Sequence, residues 1–170
     1  MVDCHPQAKI RVNSEPEEIK RPLLVLELAE VDLCTFFESG LGAFSPDVCR
    51  SYAKQLINAV KYLDSKGVTH RDIKPENILL DHHFQLKLTD FGLARDSKGD
   101  QENFKLSSRV GSEGYQPPEM ESKNYVGLKA DLFAIGVIIF IMYKGGPPFL
   151  GTWPGQKRFE LYKLIKNGKI

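Results

Sequence analysis

The sequence has no dominant charge, no apolar run of membrane length and no pattern of cysteines. It carries 23 basic and 22 acidic residues, a formal net charge of +1, so composition gives no reason to expect binding to nucleic acid or an anionic membrane surface. The longest apolar run, residues 132–143, is shorter than the roughly 18 residues that span a bilayer. The N-terminus lacks the apolar core of a signal peptide, and three cysteines do not form a disulfide framework. We therefore expect a cytoplasmic or nuclear protein without a membrane span.

Short local patterns predict the secondary structure of a folded domain. Apolar residues make up 42% of the chain and charged residues 26%, which is typical of globular proteins. Ser45 followed by Pro46 predicts the start of a helix, which apolar residues at intervals of three and four continue until Gly67. Asp131 is expected to cap a second, buried helix that ends before Gly145. Apolar segments predict strands at residues 8–12, 23–28, 78–80 and 85–88, the last two forming a hairpin.

A cluster of polar residues lies on the predicted loop between the first helix and the hairpin. Asp72, Lys74 and Asn77 share this loop, and the hairpin can return Asp90 to the side of Asn77. A carboxylate and an amide oxygen suit Mg²⁺, with phosphate oxygens and waters completing the shell. Asp72 could accept a proton from an incoming hydroxyl, and Lys74 could neutralise charge on a phosphoryl group in transit. Together these groups predict phosphoryl transfer.

Two motifs in this region carry a resemblance to a known family. Residues 70–77, His-Arg-Asp-Ile-Lys-Pro-Glu-Asn, and residues 90–92, Asp-Phe-Gly, resemble the catalytic loop and the metal-binding motif of eukaryotic protein kinases. Residues 117–119, Pro-Pro-Glu, are similar to the end of the family's activation segment. We expect His70 to pack beneath Phe91 as a structural residue rather than to transfer protons.

The resemblance implies a chemical role for each residue of the cluster. Asp72 would be the catalytic base and Lys74 the phosphate contact, while Asn77 and Asp90 would bind Mg²⁺. A lysine two places after the base is typical of serine/threonine kinases. This implies ATP as the phosphate donor and a Ser or Thr hydroxyl of a protein substrate as the acceptor. Residues 146–149, Gly-Pro-Pro-Phe, are most similar to the calcium/calmodulin-dependent group of these transferases.

The same resemblance implies a nucleotide site and a regulatory segment. Arg71 implies regulation by phosphorylation of the activation segment, because a guanidinium can bind a phosphate through two hydrogen bonds. Ser108 is our candidate phosphosite and Ser107 the second, although an unmodified loop serine stays an alternative. Ser112 would contact the catalytic base and lysine. The residues implied for ATP are a gatekeeper, two hinge residues, a ribose contact and a residue beneath the adenine ring: Leu26, Glu27, Ala29, Asp32 and Leu79.

The resemblance covers about residues 5–170 and implies the α+β protein-kinase-like fold. Residues 29–170 would form most of the helical large lobe, and residues 1–28 a remnant of the small-lobe sheet with the hinge strand. A glycine-rich loop and a strand lysine should precede the hinge, but neither the segment 40–45 nor Lys9 fits their place. The resemblance therefore implies a kinase domain truncated at both ends.

The missing parts leave the activity of this chain open. Contacts to the transferring phosphoryl group account for orders of magnitude in rate, so we expect phosphotransfer by the 170-residue chain alone to be slow or absent. Three alternatives to an active protein kinase stay open: a non-catalytic kinase-like module that binds proteins, a gene fragment, and a phosphotransferase acting on small molecules.

Overall fold

The computed structural model describes residues 3–10, 19–40, 42–96, 105–106, 111–112, 114–122 and 125–148. Within these ranges the chain forms three α-helices, at Leu33–Glu38 (α1), Pro46–Ser65 (α2) and Gly127–Lys144 (α3). The β-strands are Asp3–Ile10 (β1), Ile19–Val25 (β2), Val31–Asp32 (β3), Val68–Thr69 (β4), Ile78–Leu80 (β5), Leu86–Leu88 (β6), Arg95–Asp96 (β7), Lys105–Leu106 (β8) and Tyr125–Val126 (β9). Helices and antiparallel strands are mixed, as the α+β class requires. None of the described helices combines the length and hydropathy that crossing a membrane needs.

Helix α2 begins and ends as the sequence predicts. Ser45 Oγ accepts a hydrogen bond from Val48 N at 3.4 Å, and Pro46 lies in the first turn, where its missing N–H has no helical partner to lose. After the helix the chain turns at Gly67, whose φ of 70° favours glycine. The helix packs against α3, and its buried residues are Cys49, Tyr52, Leu56 and Val60.

Helix α3 differs from the prediction at its start. It begins at Gly127, so Asp131 lies inside the helix and the prediction that it caps the helix is wrong. Strand β9 leads directly into α3, and Val126 occupies the cap position without a side-chain bond. The end is as predicted, since Gly145 turns the chain with a φ of 74°. The helix is also not buried on every side, because it exposes Leu132, Phe140 and Tyr143.

Strands β1 and β2 pair antiparallel and lie earlier in the chain than predicted. The two strands run from Asp3 to Ile10 and from Ile19 to Val25, with Asp3 opposite Val25. The apolar runs indicate residues 8–12 and 23–28, so both strands begin and end at more N-terminal residues than predicted. A strand needs hydrogen-bonded partners for its backbone, and pairing rather than apolarity therefore determines where it ends. Beyond Val25 the chain leaves the sheet as residues 26–30, which we call the hinge segment.

Strands β3, β5 and β6 form a three-stranded antiparallel sheet in the order β3-β5-β6. Leu79 lies opposite both Asp32 and Lys87, so these three side chains share one face of the sheet. The other face carries Ile78 and Leu80, which are fully buried in the core. The predicted hairpin is confirmed, and the face of Leu79 is the more open one.

Two short strand pairs bring distant segments to the loop 70–77. Strand β4, which precedes the loop, pairs with β7, and β8 pairs with β9 at the start of α3. Helix α3 also approaches β4 closely: a Cβ atom at Gly127 would lie 2.5 Å from Thr69 Oγ1. A side chain larger than that of glycine would therefore require Thr69 or the helix to shift.

Candidate active site

The loop 70–77 is held at its start by a carboxylate inside α3. Asp131 accepts hydrogen bonds from His70 N and Arg71 N, each at 2.8 Å. Asp131 is 2% exposed, and burial raises its pKa to about 6, although the two N–H groups and the Arg71 charge oppose the shift. Arg71 has a φ of 69°, which is unfavourable for a residue other than glycine. The bonds to Asp131 stabilise the loop in this conformation.

Asp72 lies at the centre of the loop and is bonded on both carboxylate oxygens. Its Oδ1 accepts hydrogen bonds from Ser112 N and Ser112 Oγ, each at 2.9 Å. Its Oδ2 lies 3.2 Å from Lys74 Nζ and 3.2 Å from Asn77 Nδ2. Burial alone would raise the pKa of Asp72, but hydrogen bonds from Ser112 and Lys74 and the Lys74 charge outweigh burial and lower it. The result is a buried, ionised and oriented carboxylate, which can accept a proton from a hydroxyl placed beside it.

Lys74 and Ser112 complete a triangle of contacts with Asp72. Lys74 Nζ donates a hydrogen bond to Ser112 Oγ at 2.8 Å, in addition to its ion pair with the carboxylate. The lysine side chain is 21% exposed, so part of it stays in contact with solvent. Ser112 thus contacts both residues, as the resemblance implies. The arrangement places a cation and a base at one point, which suits the transfer of an anionic group to a hydroxyl.

Asn77 and Asp90 are brought together by the hairpin. Thr89 N donates to Asn77 O at 3.0 Å, so Asp90 follows directly after the residue bonded to Asn77. Asn77 Nδ2 donates to Asp72 O and Oδ2, which leaves its Oδ1 as an acceptor. Asp90 is exposed, and one of its oxygens accepts from Gly92 N at 3.2 Å. An amide oxygen and a carboxylate oxygen of this kind fit Mg²⁺, which usually takes few protein ligands beside phosphates and waters.

His70 is fully buried and packs against the residue after Asp90. Its ring centroid lies 4.8 Å from that of Phe91, as the sequence analysis predicts. Nε2 lies 2.9 Å from Thr89 O, and Nδ1 accepts a hydrogen bond from Asp72 N at 3.3 Å. Burial lowers the pKa of His70, so the ring is neutral at pH 7. With both nitrogens bonded to backbone groups, His70 supports the loop and does not face a substrate.

The five residues implied for ATP lie on the hinge segment and the neighbouring sheet. Asp32 accepts hydrogen bonds from Thr35 Oγ1 at 2.6 Å and Thr35 N at 2.8 Å, which lower its pKa and cap helix α1. Leu79 lies opposite Asp32 in the sheet, so the structure brings these two together. The other three lie on the hinge segment, where two are exposed and one is half-buried: Leu26, Glu27 and Ala29.

Arg71 connects the loop to the segment after Asp90. Its Nε donates a hydrogen bond to Leu93 O at 2.6 Å, and its side chain also bonds to Tyr125. The two candidate phosphosites, Ser107 and Ser108, lie outside the described residues. The structure therefore gives the position of the arginine but not of its expected phosphate.

Sequence reasoning missed the contribution of Asp131 to this site. It treated the residue as a helix cap, whereas both carboxylate oxygens bind the backbone of the loop 60 and 61 residues away. A signal was available, because an aspartate in an almost wholly apolar segment is rarely buried without a partner. Its partner could not be identified from the sequence, since both donors are backbone N–H groups.

Comparison with known proteins shows that the chain is similar to protein kinases. A family model described as protein kinase domain matches residues 8–166. The chain is 40% identical over 136 residues to CBL-interacting serine/threonine-protein kinase 15 of Arabidopsis thaliana, covering 79% of this chain and 31% of the relative. It is 42% identical over 130 residues to CBL-interacting protein kinase 9 of Oryza sativa subsp. japonica, covering 76% of this chain and 28% of the relative. The chain thus spans less than a third of each of these curated relatives.

Proposed function

The chain belongs to the protein kinase family, and we propose that it transfers the γ-phosphate of ATP to Ser or Thr hydroxyls of proteins. The observation that carries this proposal is the Asp72 carboxylate, which is buried, ionised and bonded by Lys74, Asn77 and Ser112. A base oriented in this way beside a cation favours phosphoryl transfer, in which positioning and electrostatics provide most of the catalysis.

Asp72 is the proposed base for the acceptor hydroxyl. Each of its oxygens already accepts two hydrogen bonds, which fills the usual capacity of a carboxylate. A substrate hydroxyl must therefore replace one donor. Ser112 Oγ can leave without separating charges, because it belongs to a neutral hydroxyl that can rotate away. The substrate hydroxyl then lies between Asp72 and Lys74, where its proton passes to the carboxylate and its oxygen faces the phosphate.

The remaining groups are proposed to hold the nucleotide. Lys74 neutralises charge on the phosphoryl group in transit. Asn77 Oδ1 and the Asp90 carboxylate hold Mg²⁺, which when bound offsets the charge of the ATP phosphates. The adenine ring rests on Leu79 and against the hinge segment. The positions proposed for Mg²⁺ and for adenine are close in the chain, because strand β5 with Leu79 begins directly after Asn77.

Transfer from [γ-³²P]ATP to peptide pools with Ser, Thr or Tyr as the sole acceptor tests this proposal. We expect label on Ser and Thr peptides, with enzyme in excess over peptide so that slow turnover is detected. Asp72→Asn should reduce the rate by about 10²–10⁴-fold, the usual contribution of a general base. Asp64→Asn, which alters an exposed aspartate of α2, is the matched control and should keep the wild-type rate.

The pH profile provides a second readout. Because the pKa of Asp72 is lowered, its protonation should not reduce the transfer rate until the pH falls below the ordinary range of an aspartate. Equal rates for wild type and Asp72→Asn would contradict the proposed base. Nucleotide binding without transfer to any peptide would favour the non-catalytic protein-binding module, and transfer to small alcohols alone would favour the small-molecule phosphotransferase.

A further inference from the structure

Lys87 of strand β6 links the hinge segment to the hairpin turn. Its Nζ lies 3.1 Å from Glu27 Oε1 and 3.5 Å from Asp81 Oδ2. The Lys87 side chain is 40% exposed and that of Glu27 56% exposed, whereas the Asp81 side chain is only 7% exposed. One end of this three-residue contact is therefore buried in the fold and the other end is in solvent.

Asp81 is a rigid anchor for Lys87. Its Oδ1 accepts hydrogen bonds from His83 N at 2.8 Å and Gln85 N at 2.9 Å, which close the turn between β5 and β6. These bonds fix the carboxylate, and its second oxygen faces Lys87. The pKa of Lys87 is raised by its hydrogen bond with Glu27 and by the two carboxylate charges, which together outweigh the opposing effect of burial. Lys87 thus carries a full positive charge between a fixed carboxylate and the hinge segment.

The position of Lys87 in the sheet relates it to the nucleotide site. Asp32, Leu79 and Lys87 lie side by side across three strands and share the open face of the sheet. Lys87 reaches from this face to Glu27, so its ion pair joins the hinge segment to the strand that pairs with Leu79. Further along the segment, Glu30 N donates a hydrogen bond to Leu80 O at 2.9 Å.

We propose that Lys87 is a positioning residue of the nucleotide site: by binding the Glu27 side chain it holds the hinge backbone at the correct distance from Leu79 for an adenine ring. The inference rests on the proposed function, which places adenine between the hinge segment and Leu79. Lys87 itself need not touch the nucleotide. Because the ion pair is exposed, its contribution is modest and falls as salt concentration rises.

A positively charged residue near a nucleotide site has a competing role, the direct attraction of phosphates. The two roles differ in the ligand that they affect. Hinge positioning acts on the adenine ring and therefore on neutral adenosine and on Mg²⁺-ATP alike. Phosphate attraction acts on Mg²⁺-ATP and not on adenosine. A comparison of the two ligands separates the roles without any assay of catalysis.

The test is calorimetric titration of the 170-residue chain with adenosine and with Mg²⁺-ATP. Lys87→Met keeps the apolar stem and removes the charge, while Glu27→Ala leaves the Lys87–Asp81 contact in place. We expect each single variant to weaken the binding of both ligands by about two- to fivefold, and the double variant to bind no more weakly than either single one. Lys87→Arg should restore wild-type affinity. Lys61→Met, an exposed lysine of α2, is the matched control and should bind as wild type does.

Three outcomes would overturn the inference. Unchanged adenosine affinity in Lys87→Met would show that Lys87 does not position the hinge, and a loss limited to Mg²⁺-ATP would show direct phosphate attraction instead. Additive losses in the double variant would show that Lys87 and Glu27 act separately. In each of these cases the wild-type chain still binds nucleotide, and the proposed function stands. If the wild-type chain binds neither ligand, both proposals fail.

Discussion

The loop 70–77 and the hinge segment serve one proposed site but are held by different kinds of contact. Asp72 of the loop is 8% exposed, and its carboxylate is bound by Lys74 and Asn77 of the same loop and by the remote Ser112. Leu28 of the hinge segment is 84% exposed. That segment is tied to the sheet by an exposed ion pair from Glu27 and by one backbone hydrogen bond of Glu30.

This difference indicates how the loop 70–77 and the hinge segment respond to ligands and to salt. Hydrogen bonds in buried, low-dielectric surroundings are stronger than those in water, so the loop should keep its geometry before any ligand binds. Exposed ion pairs are screened by salt, so the hinge segment should adjust more readily. The proposed chemistry of the site would therefore depend on buried contacts, and the proposed recognition of adenine on contacts at the surface.

The largest change in the free energy of unfolding is expected from substituting Asp131, which binds the loop to α3. Asp131→Ala leaves the N–H groups of His70 and Arg71 buried without an acceptor, and each such group costs about 1–3 kcal/mol. We expect the free energy of unfolding, measured by urea denaturation, to fall by about 2–5 kcal/mol at pH 8. Asp64→Ala in α2 is the exposed control and should change it by less than about 0.5 kcal/mol. An equal effect of the two substitutions would contradict the role of Asp131.

The loss of stability caused by Asp131→Ala should depend on pH in a defined direction. Burial raises the pKa of Asp131 to about 6 in the folded chain, above the ordinary value near 3.9. The folded state therefore binds more protons than the unfolded state between these values, and the stability that Asp131 contributes is lost as the pH rises through about 6. The penalty of Asp131→Ala should consequently be about 1 kcal/mol larger at pH 5 than at pH 8. A penalty that grows with pH would contradict this sign.

A smaller effect is expected at the contact between α3 and β4. Gly127→Ala would place a Cβ atom 2.5 Å from Thr69 Oγ1, so part of the packing must shift, at a cost of about 1–3 kcal/mol. Gly136 lies in the same helix, and a Cβ atom there would meet nothing within 4 Å. Gly136→Ala should raise the free energy of unfolding by about 0.5–1 kcal/mol. Thermal or urea unfolding of both variants checks the contrast, which would fail if both were stabilised.

The smallest effect is expected in the hinge segment. Leu28→Ala removes a side chain that is 84% exposed, and the free energy of unfolding should change by less than about 0.5 kcal/mol. Leu33, only a few residues later, is fully buried, and Leu33→Ala should cost about 2–5 kcal/mol. Urea denaturation compares the two. A large loss in Leu28→Ala would show that the hinge segment is packed more firmly than the structure indicates.

Elements with local signals could be predicted, and elements that depend on partners could not. Helix α2 has its cap at Ser45 and its stop at Gly67, and the turn of the β5–β6 hairpin is specified by adjacent residues. Strands β1 and β2 begin and end at more N-terminal residues than predicted, because the pairing of the two strands determines where they end. The predicted start of α3 was wrong. Aspartate is a favoured capping residue, which suggested Asp131, but β9 leads into the helix at Gly127, four residues before Asp131.

The sequence alone determined the chemical groups of the site and their local order. Asp72, Lys74 and Asn77 lie on one short loop, and their types and spacing were sufficient to predict a base, a cation and a metal ligand. Only the tertiary structure decided which contacts orient these groups and keep the Asp72 carboxylate ionised. Ser112 is 40 residues from Asp72, and Asp131 is 60 residues from Arg71. A sequence pattern does not encode such contacts directly, because they form only when the core between α2, α3 and the sheet brings remote segments together and excludes water from them.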